Sequence, residues 1–186
     1  NIFRVILSDV KIKRLFWHAL LLTYLLFMTM AVAFSADLTL SAADVSFSTK
    51  TFLEGQSTRI YATAHSISNI DLRGVTRFFD NDAQIQGDQP ISIVSSQTDT
   101  VFVDWIPTPG VHTIKVKVIP FEEGYDNPAN NSVETQITVF ADTDRDGIAN
   151  QSDGDDDNDG VSDVDDTFPL NKNESVDSDG DSTGNN

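Results

Sequence analysis

Hydrophobic positions follow three different rules along this chain, and the changes of rule divide it. From Leu15 to Phe34 nearly every residue is apolar, with His18 the only strongly polar member and Thr23, Tyr24 and Thr29 as mild interruptions. From Asp37 to Phe140 the period becomes two, as in Arg59 to Ala64, Val101 to Trp105, Thr113 to Val118 and Val133 to Val139. Alternation of this kind predicts half-buried strands. Turn signals separate them at Glu54 to Gln56, Asp71 to Gly74, Asp80 to Asp82, Pro107 to Gly110 and Asp126 to Asn131. Ile114, Val116 and Val118 then face a core while Lys115 and Lys117 face water, and Phe102 points opposite to Val101 and Val103. Trp105 is expected to close a strand end and to be the largest single burial. The stretch from Gln84 to Thr98 is longer and more polar than a simple hairpin, which leaves its pairing open.

The apolar run is an export or membrane signal. Arg4, Lys11, Lys13 and Arg14 precede it and no base follows until Lys50, so the N-terminus stays cytoplasmic and residues 37 onward are exported. Small residues at Ala31, Ala33, Ser35 and Ala36 favour cleavage, whereas retention would leave residues 15–34 as an anchor. Residues 1–36 are thus expected to be a signal peptide or membrane anchor, the chain's only link to a membrane.

From Asp142 the pattern changes again, into a repeat. The first unit places Asp142, Asp144 and Asp146 at positions 1, 3 and 5, Gly147 at 6, Ile148 at 7, Asn150 at 9 and Asp153 at 12. The second matches it with Asp155, Asp157, Asp159, Gly160, Val161, Asp163 and Asp166. A third opens with Asp177, Asp179 and Asp181 and reaches Asn185, but Ser182 stands where glycine is expected and position 12 lies beyond Asn186. Calcium takes six to eight hard oxygen ligands on a loop that can wrap around it, and this spacing offers three carboxylates, a glycine turn, a carbonyl at position 7 and further oxygens. Magnesium, which keeps several waters in a tight octahedron, calls for fewer protein ligands. Ile148 and Val161 are expected to coordinate through their carbonyls while burying their side chains. Calcium is expected to be weak or absent in the third loop unless further chain completes it. A disordered acidic tail is the alternative that composition alone would allow.

Composition sharpens this division. The 186 residues suffice for one domain of ordinary size plus appendages. Net charge is +3 over residues 1–36, −7 over 37–141 and −13 over 142–186. The total of −17 argues against nucleic acid as a partner, because phosphate backbones are bound mainly by Lys and Arg. The absence of cysteine removes disulfides and thiolate metal sites, so an exported chain needs another staple, a role that calcium can fill. His65 and His112, the histidines outside the first segment, come with no nucleophile elbow or zinc-helix motif, and both are expected on strand surfaces or at turns. No enzyme is expected.

Two resemblances follow from these residues. Asp37 to Leu40, the Glu54-Gly55 turn, Asp104 to Pro107 leading into Gly110 to Ile114, and Asn130-Asn131 before a final strand are similar to the CARDB module, an immunoglobulin-like domain of prokaryotic surface proteins. The acidic loops lack the helices of EF-hand units, since Asp155 opens the second loop two residues after Asp153 ends the first. They resemble thrombospondin type 3 repeats, and residues 167–174 resemble the spacer between such repeats, with Phe168 and Leu170 as an apolar staple. Together these imply an all-β chain: an immunoglobulin-like antiparallel sandwich over residues 37–141, preceded by an apolar signal or anchor helix and followed over residues 142–186 by irregular calcium-binding loops. They imply a non-catalytic surface or secreted protein acting in adhesion or as a spacer, with an unknown protein or glycan as its ligand. The alternatives are an accessory region of a larger secreted hydrolase, or a carbohydrate-binding module, for which Tyr61, Tyr125, Trp105 and several Phe are available, most of them in core-like positions.

Overall fold

The computed structural model describes residues 36–121 and 126–185. The expected signal or anchor segment lies outside them, and no described helix is long and apolar enough to cross a membrane. Nine strands follow in chain order: β1 (Leu38–Thr39), β2 (Val45–Phe47), β3 (Phe52–Leu53), β4 (Thr58–Ser66), β5 (Leu72–Asp80), β6 (Ala83–Ile93), β7 (Thr98–Trp105), β8 (Gly110–Pro120) and β9 (Ser132–Phe140).

They form two sheets packed as a sandwich. In the first, β4 is central, with β7 along one side and β1 and β2 sharing the other. A 3-10 turn at Ala42–Asp44 interrupts what would otherwise be one edge strand. The Asp44 carboxylate holds that turn, accepting from the Ser41 backbone N–H at 2.7 Å and the Ser41 hydroxyl at 2.6 Å. The second sheet runs β3-β9-β8-β5-β6, antiparallel except where β3 lies parallel to β9. Sequence neighbours β4 and β5 lie in different sheets, as do β6 and β7, so the chain crosses the core repeatedly.

The predicted alternation sets the core. Ile60, Ala62 and Ala64 of β4, Val103 and Trp105 of β7, and Ile114, Val116 and Val118 of β8 are all buried. Phe78 of β5 is fully buried between them, and Trp105 is 5% exposed at the end of its strand. Lys117 and Phe102 lie on outer faces, as the same alternation requires. The polar stretch whose pairing was open contains β6, an edge strand paired with β5 through a two-residue hairpin. Asn81 and Asp82 take φ of 47° and 68°, the left-handed pair that such a hairpin needs and that Asn and Asp tolerate. Its polarity follows from its position: one face and one edge are in water, the register shifts between Thr76 and Phe78, and Pro90 is tolerated in an edge strand.

His112 is a correction. It was expected on a surface or turn but is 5% exposed, with its ring edge-to-face against Trp105 at 5.2 Å. It falls in phase with Ile114, Val116 and Val118, so the strand that buries them buries it too. His112 Nδ1 lies 2.7 Å from Asp80 Oδ1, and Nε2 lies 2.8 Å from the Thr108 carbonyl oxygen. Both ring nitrogens face acceptors, so the ring is held from two sides. The Trp105 indole N–H donates to Asp80 Oδ2 at 3.1 Å, so one carboxylate joins β5, β7 and β8. His65 is half-exposed on β4, 2.6 Å from Asp44 Oδ1.

Candidate metal centres

After β9 the chain leaves the sheet and folds into irregular loops, with one 3-10 turn at Asn150–Ser152. The first loop rests on the sandwich. The Asn150 N–H donates to the Ala141 carbonyl at 3.0 Å, and the Arg145 side chain lies over Gly55 in the turn between β3 and β4.

The three loops share one backbone frame. The position 1 carboxylate accepts from the position 6 N–H: Asp142 from Gly147 at 3.2 Å, Asp155 from Gly160 at 3.0 Å, and Asp177 from Ser182 at 3.0 Å. Position 5 accepts from position 7: Asp146 from Ile148 at 2.8 Å, Asp159 from Val161 at 2.7 Å, and Asp181 from Thr183 at 2.8 Å. Position 9 closes each loop by accepting from position 2: Asn150 from Thr143 at 3.0 Å, Asp163 from Asp156 at 2.8 Å, and Asn185 from Ser178 at 2.6 Å. Gly147 and Gly160 both take φ of 96°, and Ser182 adopts the same left-handed region at 68°. The serine therefore does not prevent the third loop from forming the same turn; it places a side chain where the backbone prefers none.

This frame leaves three carboxylates converging in each loop. One oxygen from each of Asp142, Asp144 and Asp146 lies within 4.8 Å of the others, and the same holds for Asp155, Asp157 and Asp159 and for Asp177, Asp179 and Asp181. Asp153, Asp163 and Asp166 lie outside these clusters. Each uses one oxygen to hold backbone N–H groups: Asp153 those of Gly154 and Asp155, Asp163 that of Asp156, and Asp166 that of Phe168.

Hydrogen bonds do not satisfy these acids. Asp142 and Asp157 are each 3% exposed, and Asp142 Oδ1 and Asp157 Oδ2 are buried with no partner among the described residues. Asp156 Oδ1 and Asp166 Oδ2 are in the same condition. A buried carboxylate oxygen with neither donor nor cation is expensive, so the residues fit a hard cation whose ligands are these oxygens. Burial, then the charge of Asp163 and that of Asp153, pushes the Asp156 carboxyl above the ordinary carboxylate range. Burial also pushes Asp157 up, reinforced by Asp159 and Asp166. Asp177 is held below the usual range, first by the Ser182 N–H.

Asp156 is the acid that the spacing missed. It occupies position 2, outside the oxygen pattern, yet acids of both the first and second loops act on it. Its place in the Asp155 to Asp157 run was the available signal. Two apolar expectations are corrected. Ile148 is 45% exposed and Val161 half-buried, and Leu170 is 59% exposed while Phe168 alone is partly covered. Among the described residues no strand or long helix follows β9 to cover the loops, so their aliphatic side chains have little to be buried against.

On the sandwich, the outer face of the first sheet carries an aromatic pair. The Tyr61 and Phe102 rings lie 5.9 Å apart, Phe102 is 44% exposed, and the Arg59 guanidinium sits 4.1 Å over the Phe102 ring while pairing with Asp104 at 2.8 Å.

No family model matches the chain, and no curated protein matches it. Among solved structures it is similar to a CARDB domain from Pyrococcus furiosus in complex with di-metal ions, at 15% identity over 55% of this chain and 87% of that one, with a TM-score of 0.46. It is also similar to one domain of a protein assigned to the cell surface of Methanosarcina acetivorans, at 20% identity over 57% of this chain and 93% of that one, TM-score 0.46. A third likeness is to a β-glucosidase from Listeria innocua, at 14% identity over 51% of this chain but 15% of that one, TM-score 0.38. With identities this low, the functional reading rests on the chain's own residues.

Proposed function

We propose that this chain is a non-catalytic segment of an exported surface protein. In this reading residues 1–36 direct export, residues 37–141 form an immunoglobulin-like sandwich of CARDB type, and residues 142–186 are calcium-binding repeats of thrombospondin type 3 kind. The sandwich acts in adhesion or as a spacer, and the repeats act as a stalk whose stiffness depends on calcium. One observation carries the metal part: three loops with one hydrogen-bond frame each converge three carboxylates, and in two of them a carboxylate oxygen is buried without a partner.

The physics of the stalk follows from charge. With −13 over 45 residues, the calcium-free tail is expanded by self-repulsion. A calcium ion held by Asp142, Asp144 and Asp146 with the Ile148 carbonyl, or by Asp155, Asp157 and Asp159 with the Val161 carbonyl, removes two charges and fixes the loop. Asp177, Asp179 and Asp181 with the Thr183 carbonyl offer a third set, where calcium is weak or absent unless further chain completes the loop. Dissociation constants of about 10⁻⁴ to 10⁻³ M, the range of extracellular modules, match calcium outside the cell.

The test is a calorimetric titration of calcium into the chain with hydrodynamic radius followed in parallel. Saturable binding with contraction is expected; no heat and no contraction at millimolar calcium would remove the stalk reading. A second reading, glycan binding, is favoured by the Tyr61, Phe102 and Arg59 surface, since sugars stack on exposed aromatic rings beside hydrogen-bonding groups. A glycan array that stays dark would dismiss it.

A further inference from the structure

The two ends of the sandwich differ in what they carry. At one end β9 finishes beside the start of β8 and the chain passes into the repeats. At the other end the chain enters β1 beside the last residues of β4. This entry end also holds the connections from β4 to β5 and from β6 to β7, with Ile67 and Ile70 in the first and Val94 in the second, all exposed. Phe121, where β8 ends on the same side, is exposed as well, its N–H donating to the Arg73 carbonyl at 2.9 Å.

These connections are held firmly. Ile67 N–H donates to the Asp37 carbonyl and Ser96 N–H to the buried Ser68 carbonyl, each at 3.1 Å, and Ser95 N–H donates to the Asp71 carboxylate at 3.0 Å. The Ser66 and Ser68 hydroxyls accept from the N–H groups of Ser68 and Ile70, at 3.2 and 3.1 Å. Main-chain donors are thus satisfied within the protein while aliphatic side chains face outward, as contact with an apolar phase requires. Neither connection contains a lysine or arginine, so such contact is apolar rather than electrostatic.

The phase that meets these side chains follows from where the chain enters. Ala36 is buried and Leu38 fully so, and the apolar run of residues 15–34 ends at Phe34, four residues before Leu38. Four residues span at most about 14 Å. In the anchored form of the chain, a bilayer that holds the run therefore lies within about 14 Å of β1, and Ile67 is bonded to the residue just before β1.

We infer that in the anchored form Ile67, Ile70, Val94 and Phe121 dip into the exported face of the same membrane and set the sandwich on it with the repeats leading away. The depth is that of interfacial apolar groups, about 5–10 Å. This inference rests on the export reading above and requires no calcium.

The chain has no cysteine, so one introduced at Val94 or at Ile106 carries a single environment-sensitive dye. Val94 is 60% exposed, and Ile106, between β7 and β8 at the opposite end, is 67% exposed, which makes it a matched control. The full chain, exported by a bacterial host and purified from its membranes, is placed in phosphatidylcholine vesicles carrying nitroxide at a shallow or a deep position of the lipid. The Val94→Cys dye should shift to the blue and lose at least half its emission to the shallow nitroxide, and less to the deep one. The Ile106→Cys dye should do neither. Adding Ile67→Asp and Ile70→Asp, both at exposed positions, should abolish the quenching at Val94; quenching that survives them reports nearness alone and overturns the inference. Equal signals from the two positions in vesicle-bound chain would also overturn it and leave the anchor standing, as would a blue shift without quenching, which means that protein covers this end. A chain recovered from the soluble fraction without residues 1–36 would overturn the anchor and the inference together.

Discussion

Replacing Asp80 by alanine tests whether the core is tied by one carboxylate. Asp80 Oδ2 receives the Trp105 indole N–H at 3.1 Å and Asp80 Oδ1 lies 2.7 Å from His112 Nδ1, while both rings are 5% exposed. Water cannot reach these groups freely to replace the lost acceptor. Leaving a buried donor unsatisfied costs about 1–3 kcal/mol, and Asp80 is the partner of two, the indole N–H and the imidazole, so the loss spans about 2–6 kcal/mol. The Asp80 side chain keeps 20% of its exposure, so some water enters its place and the lower part of that range applies. We expect a loss of about 3 kcal/mol, a large share of the roughly 5–15 kcal/mol that holds an ordinary domain together. At a urea dependence of about 2 kcal/mol per molar, the unfolding midpoint falls by about 1.5 M. Urea unfolding followed by far-ultraviolet circular dichroism measures it, with the indole N–H resonance of Trp105 as a local reporter. Asp82→Asn serves as the control, because asparagine tolerates the same φ of 68° and Asp82 pairs with Lys115 from a side chain that is 88% exposed, so no resolvable shift is expected. If Asp80→Ala shifted the midpoint no more than Asp82→Asn, Asp80 would not be what secures Trp105 and His112.

Two further predictions concern the loops. Gly160→Ala forces a side chain into φ of 96° at a cost of about 1–2 kcal/mol, so calorimetry should find calcium bound about tenfold more weakly in the second loop; Ser182→Gly, which relieves φ of 68°, should tighten the third. The calcium-free tail should respond to acid in an unusual direction. Because Asp156 and Asp157 bind protons more tightly in the folded loop than the ordinary value of about 3.9, their contribution to stability is fully present below that value and is lost as pH rises through their raised values. Acidification through that window should therefore contract the calcium-free tail and, by proton competition, expand the calcium-loaded one. A hydrodynamic radius that grew in both conditions would refute the assignment of these two acids.

What could be read from the sequence is what repeats over short distances. Alternation placed Ile114, Val116 and Val118 inward and Lys117 outward because side-chain direction in a strand depends only on neighbouring residues. The three acidic loops were legible for the same reason: each closes on itself within nine residues, so the Asp142, Asp155 and Asp177 clusters are local geometry. Only tertiary structure could decide matters that depend on which distant residues meet. The polar stretch containing β6 became an edge strand because β5 lay beside it, and His112, turned inward by the alternation of β8, found its partner in Asp80, 32 residues away. Tyr61 and Phe102 became one surface only through the pairing of β4 with β7. Asp37, Asp126, Asn130 and Asn131 were a turn and a strand opening in the sequence; hydrogen bonds across up to 93 residues gather them into one network. Periodicity is encoded in neighbours, whereas charge pairing and desolvation depend on contacts that exist only after the sheets have packed.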